Sequence, residues 1–379
     1  MRKNKQLKIY FFYFLFIYTF LFFTNTHFNF EDSLKFGGAD GFSYMSISKD
    51  APFITSEKLM SIHSERFFFP YIIGLFSIIF KIDFYLSYKI FVMITLGIIN
   101  IFIIKIFKYL NLDLLKMLVL LTLINLNPYL TRFYIAVPTI INDLIFIAGV
   151  LIIIEKIITK NRNNFFVFIG YIFTFASRQT SIGVILAYLI STLIKGKKLL
   201  LTKYIIGAFL IFIFFLILNT YYSSHTMESI SSRYDLYSPK MRFLGFFVQN
   251  VDFKDKLIFL FLPLLSFTPL LLYFIFLMEV KISIKKIIKS KLLIFLLSFI
   301  TLVILQPILS GVEITGRNIL RLTSLAYIPL LIFLILITKE KKKLIISKKN
   351  LSFFVFVIAI FHSFHPTFSL IKIFDILRF

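Results

Sequence analysis

Four short stretches of this sequence place ionisable side chains where they could do chemistry. The first runs from Glu31 to Arg66 and holds Glu31, Asp32, Asp40, Asp50, Glu57, His63, Glu65 and Arg66 around the segment GGADGFSYMSISKD. The others are VPTIINDLIF with Asp143, FASRQTSIG with Arg178, and GVEITGRNILRLTS with Arg317 and Arg321. A carboxylate held close to lipid head groups can take the proton of an acceptor hydroxyl as a general base. The planar fork of an arginine suits a phosphate. Each stretch also has a plainer reading. Loop charges belong in water, and Gly-Gly-x-Asp-Gly reads as a turn carrying Asp40. A carboxylate at the head of an apolar run, as at Asp143, stabilises a helix N-terminus through its dipole. Arg178, which interrupts a long apolar stretch, can snorkel to head groups, although an ionisable group in such a place is a functional-site hypothesis by default. Arg317 and Arg321 lie four apart, on one face of a helix.

The elements that must hold these residues are membrane spans. A chain of 379 residues that is 59% hydrophobic, with 52 Phe and 16% charged residues, is not a soluble domain. Its mean hydropathy is +0.90. Apolar runs of about 20 residues, enough to cross ~30 Å of hydrocarbon, recur along its length. The formal charge of +24 does not point to nucleic acid, because the basic residues form short clusters between apolar segments, as cytoplasmic loops do. With no Cys, disulfides, thiol catalysis and Cys-ligated metal sites are excluded. The lack of Trp and the wealth of Lys, Asn, Ile and Phe point to an AT-rich genome.

The basic start followed by a long run from about Leu7 to Phe23, with no small-residue cleavage site, predicts an uncleaved first helix with a cytoplasmic N-terminus. The next run, Phe67 to Phe80, reaches only roughly 21 Å at about 1.5 Å per residue. Were it to cross, every later basic cluster would lie outside, so it is expected to be an interfacial helix. The expected fold is an all-α integral membrane protein, a single polytopic domain over residues 1–379. Its spans fall near 7–24, 84–104, 115–128, 142–158, 164–177, 181–194, 204–219, 257–278, 292–306, 322–338 and 351–364, eleven crossings in all. The alternative for the pair 164–177 and 181–194 is one re-entrant hairpin, which preserves the parity. Lys105, Lys285 and Lys341 are then cytoplasmic. The two long loops, about 25–83 and 220–256, are external. The short cytoplasmic loops leave no room for a nucleotide-binding domain, and no P-loop or Rossmann glycine fingerprint occurs.

The order of these features resembles the polytopic C-type glycosyltransferases. The resemblance rests on a first membrane helix, an acidic external loop with ADGFSY, then ERFFFPYIIGLF before a longer span. It continues in NLNPYLTRFYIAVPTIINDLIFIAGVLII, a Pro-containing second external loop with an acidic residue at the head of the next helix. The resemblance implies a sugar donor on a polyprenyl phosphate or pyrophosphate and inversion at the anomeric carbon. It implies Asp40 as the base and Asp143 as a second acidic group that positions the acceptor or a divalent cation. Arg178, Arg317, Arg321 and Arg66 would hold the donor phosphate. The sequence departs from the family in having a single Asp before Gly41 rather than an Asp-x-Asp or Asp-Glu pair, which weakens the expectation of a metal. The implied partners are the lipid-linked donor, membrane lipids and an acceptor the sequence does not name. The implied place is the cell membrane, in a bacterial inner membrane serving the cell envelope.

Two other classes fit the composition. A transporter or flippase of lipid-linked saccharides would carry charges inside several helices along one path, often with internal repeats; here the charges gather at external helix ends and no repeat is evident. A non-catalytic protein of envelope assembly would leave them scattered. His362 and His365, three apart in FHSFHPTF, have the spacing of metal ligands but no acidic or Cys partner nearby.

Overall fold

A computed structural model describes residues 2–25, 30–56, 59, 61–159, 164–194, 198–226, 239–280, 284–315, 318–340 and 348–364. In chain order the helices are α1 (Arg2–Thr24), α2 (Phe30–Asp50), α3 (Ser61–Ser64), α4 (Phe68–Phe80), α5 (Phe84–Tyr109), α6 (Leu114–Asn125), α7 (Phe133–Ala136), α8 (Ile141–Thr159) and α9 (Asn164–Ser177). They continue as α10 (Ile182–Leu193), α11 (Lys198–Thr226), α12 (Pro239–Val248), α13 (Phe253–Leu277), α14 (Ile284–Lys289), α15 (Lys291–Thr315), α16 (Ile319–Ser324), α17 (Tyr327–Ile337) and α18 (Lys348–Ser363). Two three-residue strands, β1 (Met278–Val280) and β2 (Thr338–Glu340), pair antiparallel.

Among the described residues, five helices are long and apolar enough to cross a membrane: Gln6–Thr24, Phe84–Tyr109, Ile205–Thr226, Phe253–Leu277 and Lys291–Thr315. Leu114–Asn125 with Pro128–Ala136, bent by 45°, makes a sixth if the pair is one span. The molecule is thus an α-helical protein compatible with several passes through a membrane.

Loop chemistry sets several boundaries. Asp83 and Asp113 cap α5 and α6, their carboxylates accepting from Leu86 N and Lys116 N. Lys81 closes α4 with a left-handed backbone (φ 53°). Pro70 sits in the first turn of α4, where a missing N–H costs nothing.

The sequence predicts a turn at Gly37–Gly41, and here the structure differs. Asp40 lies inside α2, which runs unbroken through the glycines. Each glycine costs a helix about 1 kcal/mol relative to Ala, so local propensity does not explain this. Packing does. Tyr44, Met45, Ile47 and Ser48 are buried, and Ser48 Oγ donates to Pro70 O at 2.7 Å and meets Tyr88 Oη at 2.7 Å. That ties α2 to α4 and α5.

Two close approaches shape the rest. Helices α8 and α9 cross where Gly149 meets Gly170, and a Cβ built on Gly149 would stand 2.7 Å from Gly170 O. No larger residue allows that crossing. Helix α15 breaks at Gly311 (φ 79°). Gln249, from α12's end, satisfies the break by donating to Ser310 O at 2.9 Å and accepting from Glu313 N at 3.1 Å.

The contacts between elements sort the bundle into two ends. At one end the buried Arg132 donates to Thr24 O and Thr24 Oγ1 at the close of α1, and to Ser363 Oγ at the close of α18. The first and last described helices thereby finish together. At the other end β1 pairs with β2, Lys116 pairs with Glu340, and Tyr10 Oη reaches Met117 Sδ at 3.5 Å.

Candidate functional site

Five segments meet at the Arg132 end. Helix α2 contributes Asp40, Ser43 and Tyr44, which share a face because they stand three and four apart. The stretch after Pro52 contributes His63, Glu65 and Arg66. Tyr134, Asn142 and Asp143 come from α7 and the head of α8. Arg178 and Gln179 come from the break between α9 and α10, where Arg178 adopts extended backbone (φ −153°, ψ 145°). Arg321 comes from the short α16. The antiparallel α8 and α9, held close at their glycines, bring the N-terminal end of one against the C-terminal end of the other. This carries Asp143 to Arg178.

The carboxylates and guanidiniums interlock. Asp143 is ion-paired with Arg178, accepts from Tyr134 Oη at 3.2 Å, and has Arg321 Nε 3.6 Å from its Oδ2. Arg321 also donates through Nη2 to Asp40 Oδ2 at 3.2 Å, and its guanidinium lies 5.6 Å from the Phe133 ring centre. His63 Nε2 lies 2.7 Å from Asp40 Oδ1, and its Nδ1 lies 2.9 Å from Ser43 Oγ. Arg66 donates from Nε to Gln179 Oε1 at 2.9 Å. Gln179 in turn donates to Glu65 at 2.6 Å, and Asn142 Nδ2 donates to Arg66 O at 3.1 Å.

Three guanidiniums thus face two carboxylates. The Asp143 and Arg178 side chains are 2% and 4% exposed, whereas Asp40 keeps 25% of its side chain exposed. Burial alone would push the Asp40 carboxyl up. The His63 hydrogen bond, Arg321 and then Arg66 overrule it and hold the group well below the usual carboxylate range. Among the described residues, seven buried side-chain atoms have no hydrogen-bond partner, and four of them lie here: Nε of Arg178, Nε of Arg321, Oδ1 of Asn142 and Oγ1 of Thr139. Buried polar atoms are rarely left so, and two of these four are guanidinium donors.

A divalent cation does not fit this arrangement. A cation needs carboxylate oxygens converging on one point, but Arg321 stands between Asp40 and Asp143, and their oxygens are turned to arginine, histidine and tyrosine.

Comparison with known proteins finds no match: no family model matches the chain, and no curated protein or solved structure does.

Of the residues singled out in the sequence, Asp40, Asp143, Arg178, Arg321 and Arg66 come together. Arg317, Lys341 and His365 lie outside the described residues. His362 meets Leu265 O at 2.7 Å. Sequence reasoning gave no role to Ser43, Tyr44, His63, Tyr134 or Gln179. Ser43 and Tyr44 carry the signal of helical spacing from Asp40, visible only once α2 is known to be a helix. A cavity of about 360 Å³ at the opposite end, walled by Lys116, Tyr273 and Glu340 among others, shares no residue with the cluster.

Proposed function

We propose that this protein is a membrane glycosyltransferase of the C-type kind, moving a sugar from a polyprenyl-phosphate-type donor to an acceptor at the external face. One observation carries the reading. Two carboxylates, one of them partly exposed, stand among three guanidiniums, and the buried Nε–H groups of Arg178 and Arg321 make no hydrogen bond. Ion pairs kept only for stability gain little in such surroundings, since desolvation rivals their attraction. A guanidinium excess with open donors suits an anionic phosphate. Asp40 is the one carboxylate of the two that an acceptor can reach.

In the proposed reaction the acceptor's O–H bond breaks and its proton passes to Asp40. The acceptor oxygen forms the new bond to the anomeric carbon as the bond from that carbon to the phosphate oxygen breaks. The electron pair leaves on the phosphate, and Arg178, Arg321 and Arg66 hold the developing charge. Asp143 holds Arg178 and Arg321, so the donor phosphate competes with it for both.

The eleven-span topology belongs to the same proposal. The five long helices, the bent pair taken as one, α8, and the short apolar helices other than α4 account for eleven crossings. The sorting of contacts to two ends supports their alternation. Asp40, Asp143, Arg178 and Arg321 share the end where α1 finishes, which is external if the N-terminus is cytoplasmic.

The test is direct. Purified protein in nanodiscs is given a synthetic polyprenyl-phosphate sugar and a panel of hydroxyl acceptors, and release of polyprenyl phosphate is followed. Release that depends on Arg178 supports the reading. Movement of the donor between leaflets without its consumption would put a flippase in its place.

A further inference from the structure

We propose that His63 is the positioning residue for Asp40: it holds Oδ1 from behind, so that Oδ2 alone receives the acceptor's proton. The identity of that proton's source rests on the transferase reading; the geometry of the pair does not.

Ser43, His63 and Asp40 form a chain of contacts, 2.9 Å and then 2.7 Å, in the residue order of a serine hydrolase triad but with the two ring nitrogens exchanged: Nδ1 faces the serine and Nε2 the carboxylate. Its accessible end is the acid and not the hydroxyl. Ser43 and His63 are 5% and 4% exposed, against 25% for the Asp40 side chain. Ser43 is no nucleophile here. It is the far anchor of the ring.

The imidazole has little freedom. Helix α2 grips it at both nitrogens with residues one turn apart, whose Cβ atoms stand about 5–6 Å from each other. Tyr44, from the same turn, meets the ring edge-on at 5.7 Å between centres. The backbone carrying His63 is fixed as well. Ser64 Oγ donates to Ser223 Oγ at 3.1 Å, Leu59 N to Thr226 O at 2.8 Å, and Arg66 N to His63 O at 3.0 Å.

The tautomer follows from donor and acceptor counting. An ionised carboxylate only accepts, so the hydrogen between Nε2 and Oδ1 belongs to His63. In a neutral ring Nδ1 then accepts from the Ser43 hydroxyl, and a hydroxyl can equally accept from an imidazolium. The hydrogen bond to Oδ1 survives proton uptake by Asp40, because the carbonyl oxygen of a carboxylic acid still accepts. The arriving proton therefore goes to Oδ2, and His63 neither gains nor loses one. Arg321, 3.2 Å from Oδ2, gives up that oxygen to the acceptor. The groups facing Asp40 are His63 on α3, Arg66, Arg321 on α16, Asp143 on α8 and Tyr44 on its own helix.

Two measurements test this. The ¹⁵N spectrum of histidine-labelled protein in nanodiscs, assigned by the signal lost in His63→Gln, should show a proton on Nε2 in either charge state. A neutral ring protonated on Nδ1 overturns the proposal. With a synthetic polyprenyl-phosphate sugar as donor, His63→Ala should lower kcat by about 10–100-fold, leave the donor KM unchanged, and move the acid limb of the kcat profile to higher pH. His63→Gln, whose amide N–H can reach the same oxygen, should recover at least tenfold of the loss. An unchanged kcat and pH profile in His63→Ala overturns the assignment. Should His63→Ala not fold, Ser43→Ala serves, with a smaller loss of kcat in the same direction and Nε2 still protonated, since the Asp40 carboxylate alone fixes the tautomer; an unchanged kcat would again overturn it. If wild-type protein consumes no donor, the transferase reading fails and the tautomer measurement still decides the role of His63.

Discussion

Neutralising Asp143 should injure the protein in a way that a second mutation repairs. In Asp143→Asn the Arg178 guanidinium, 4% exposed, loses the one carboxylate that pairs with it among the described residues, and Arg321 loses one of its two. Leaving a buried charge without its partner costs about 3–5 kcal/mol, a population change on the order of 10²–10³ or more at about 1.4 kcal/mol per decade. Arg178→Met alone is milder, because Asp143 keeps Tyr134 at 3.2 Å and Arg321 at 3.6 Å. The loss of one hydrogen bond between charged groups is worth about 1.5–3 kcal/mol. In the Asp143→Asn background the same Arg178→Met change removes an orphaned cation, so its sign reverses and it becomes neutral or stabilising. Unfolding free energies of wild type, both single variants and the double variant, measured by steric trapping in bicelles, give the coupling as a double-mutant cycle. Equal costs for Arg178→Met in both backgrounds would show that the two residues do not act as a buried pair.

Three further outcomes follow from the same geometry. Gly149→Leu should separate α8 from α9, since its Cβ would meet Gly170 O at 2.7 Å and Phe173 Cβ at 2.9 Å, and a protein that inserts but no longer retains donor is the expected result; wild-type donor affinity would contradict it. Asp40 titrates below the about 3.9 of an unfolded aspartate, so its contribution to stability is present above that pH and is lost as the pH falls through the folded value. The stability gap between wild type and Asp40→Asn should narrow below about pH 4, and a gap constant with pH would refute this. In the Cys-free chain, Lys105→Cys should resist an impermeant thiol reagent applied to intact cells while His225→Cys reacts, and the reverse pattern would invert the proposed topology.

What was legible in the sequence and what was not have separate physical causes. Helices α5, α13 and α15 announce themselves because each exceeds the run of about 20 apolar residues that a bilayer demands. The charged residues of the cluster stand out because such a background makes any charge conspicuous. Helix α2 was hidden because Gly37, Gly38 and Gly41 favour a turn locally, and only its burial against α4 and α5 keeps it helical. With the helix hidden, the alignment of Asp40 with Ser43 and Tyr44 was hidden too. The pairing of Asp143 with Arg178 depends on an antiparallel crossing at two glycines 21 residues apart in sequence, which no local pattern encodes. The position of Arg321 between the two carboxylates depends on α16 docking on the 128–136 segment, where Ser324 Oγ donates to Tyr129 O at 3.0 Å.

The central claim is that Asp40 is the base, and one rate measurement addresses it most directly. Asp40→Asn preserves size and can still accept from His63, but it cannot take a proton. Reconstituted in nanodiscs with a polyprenyl-phosphate sugar and an accepted hydroxyl compound, and shown by size exclusion to be folded, the variant should transfer sugar about 10²–10⁴-fold more slowly than wild type. Transfer by folded Asp40→Asn at the wild-type rate would contradict the account.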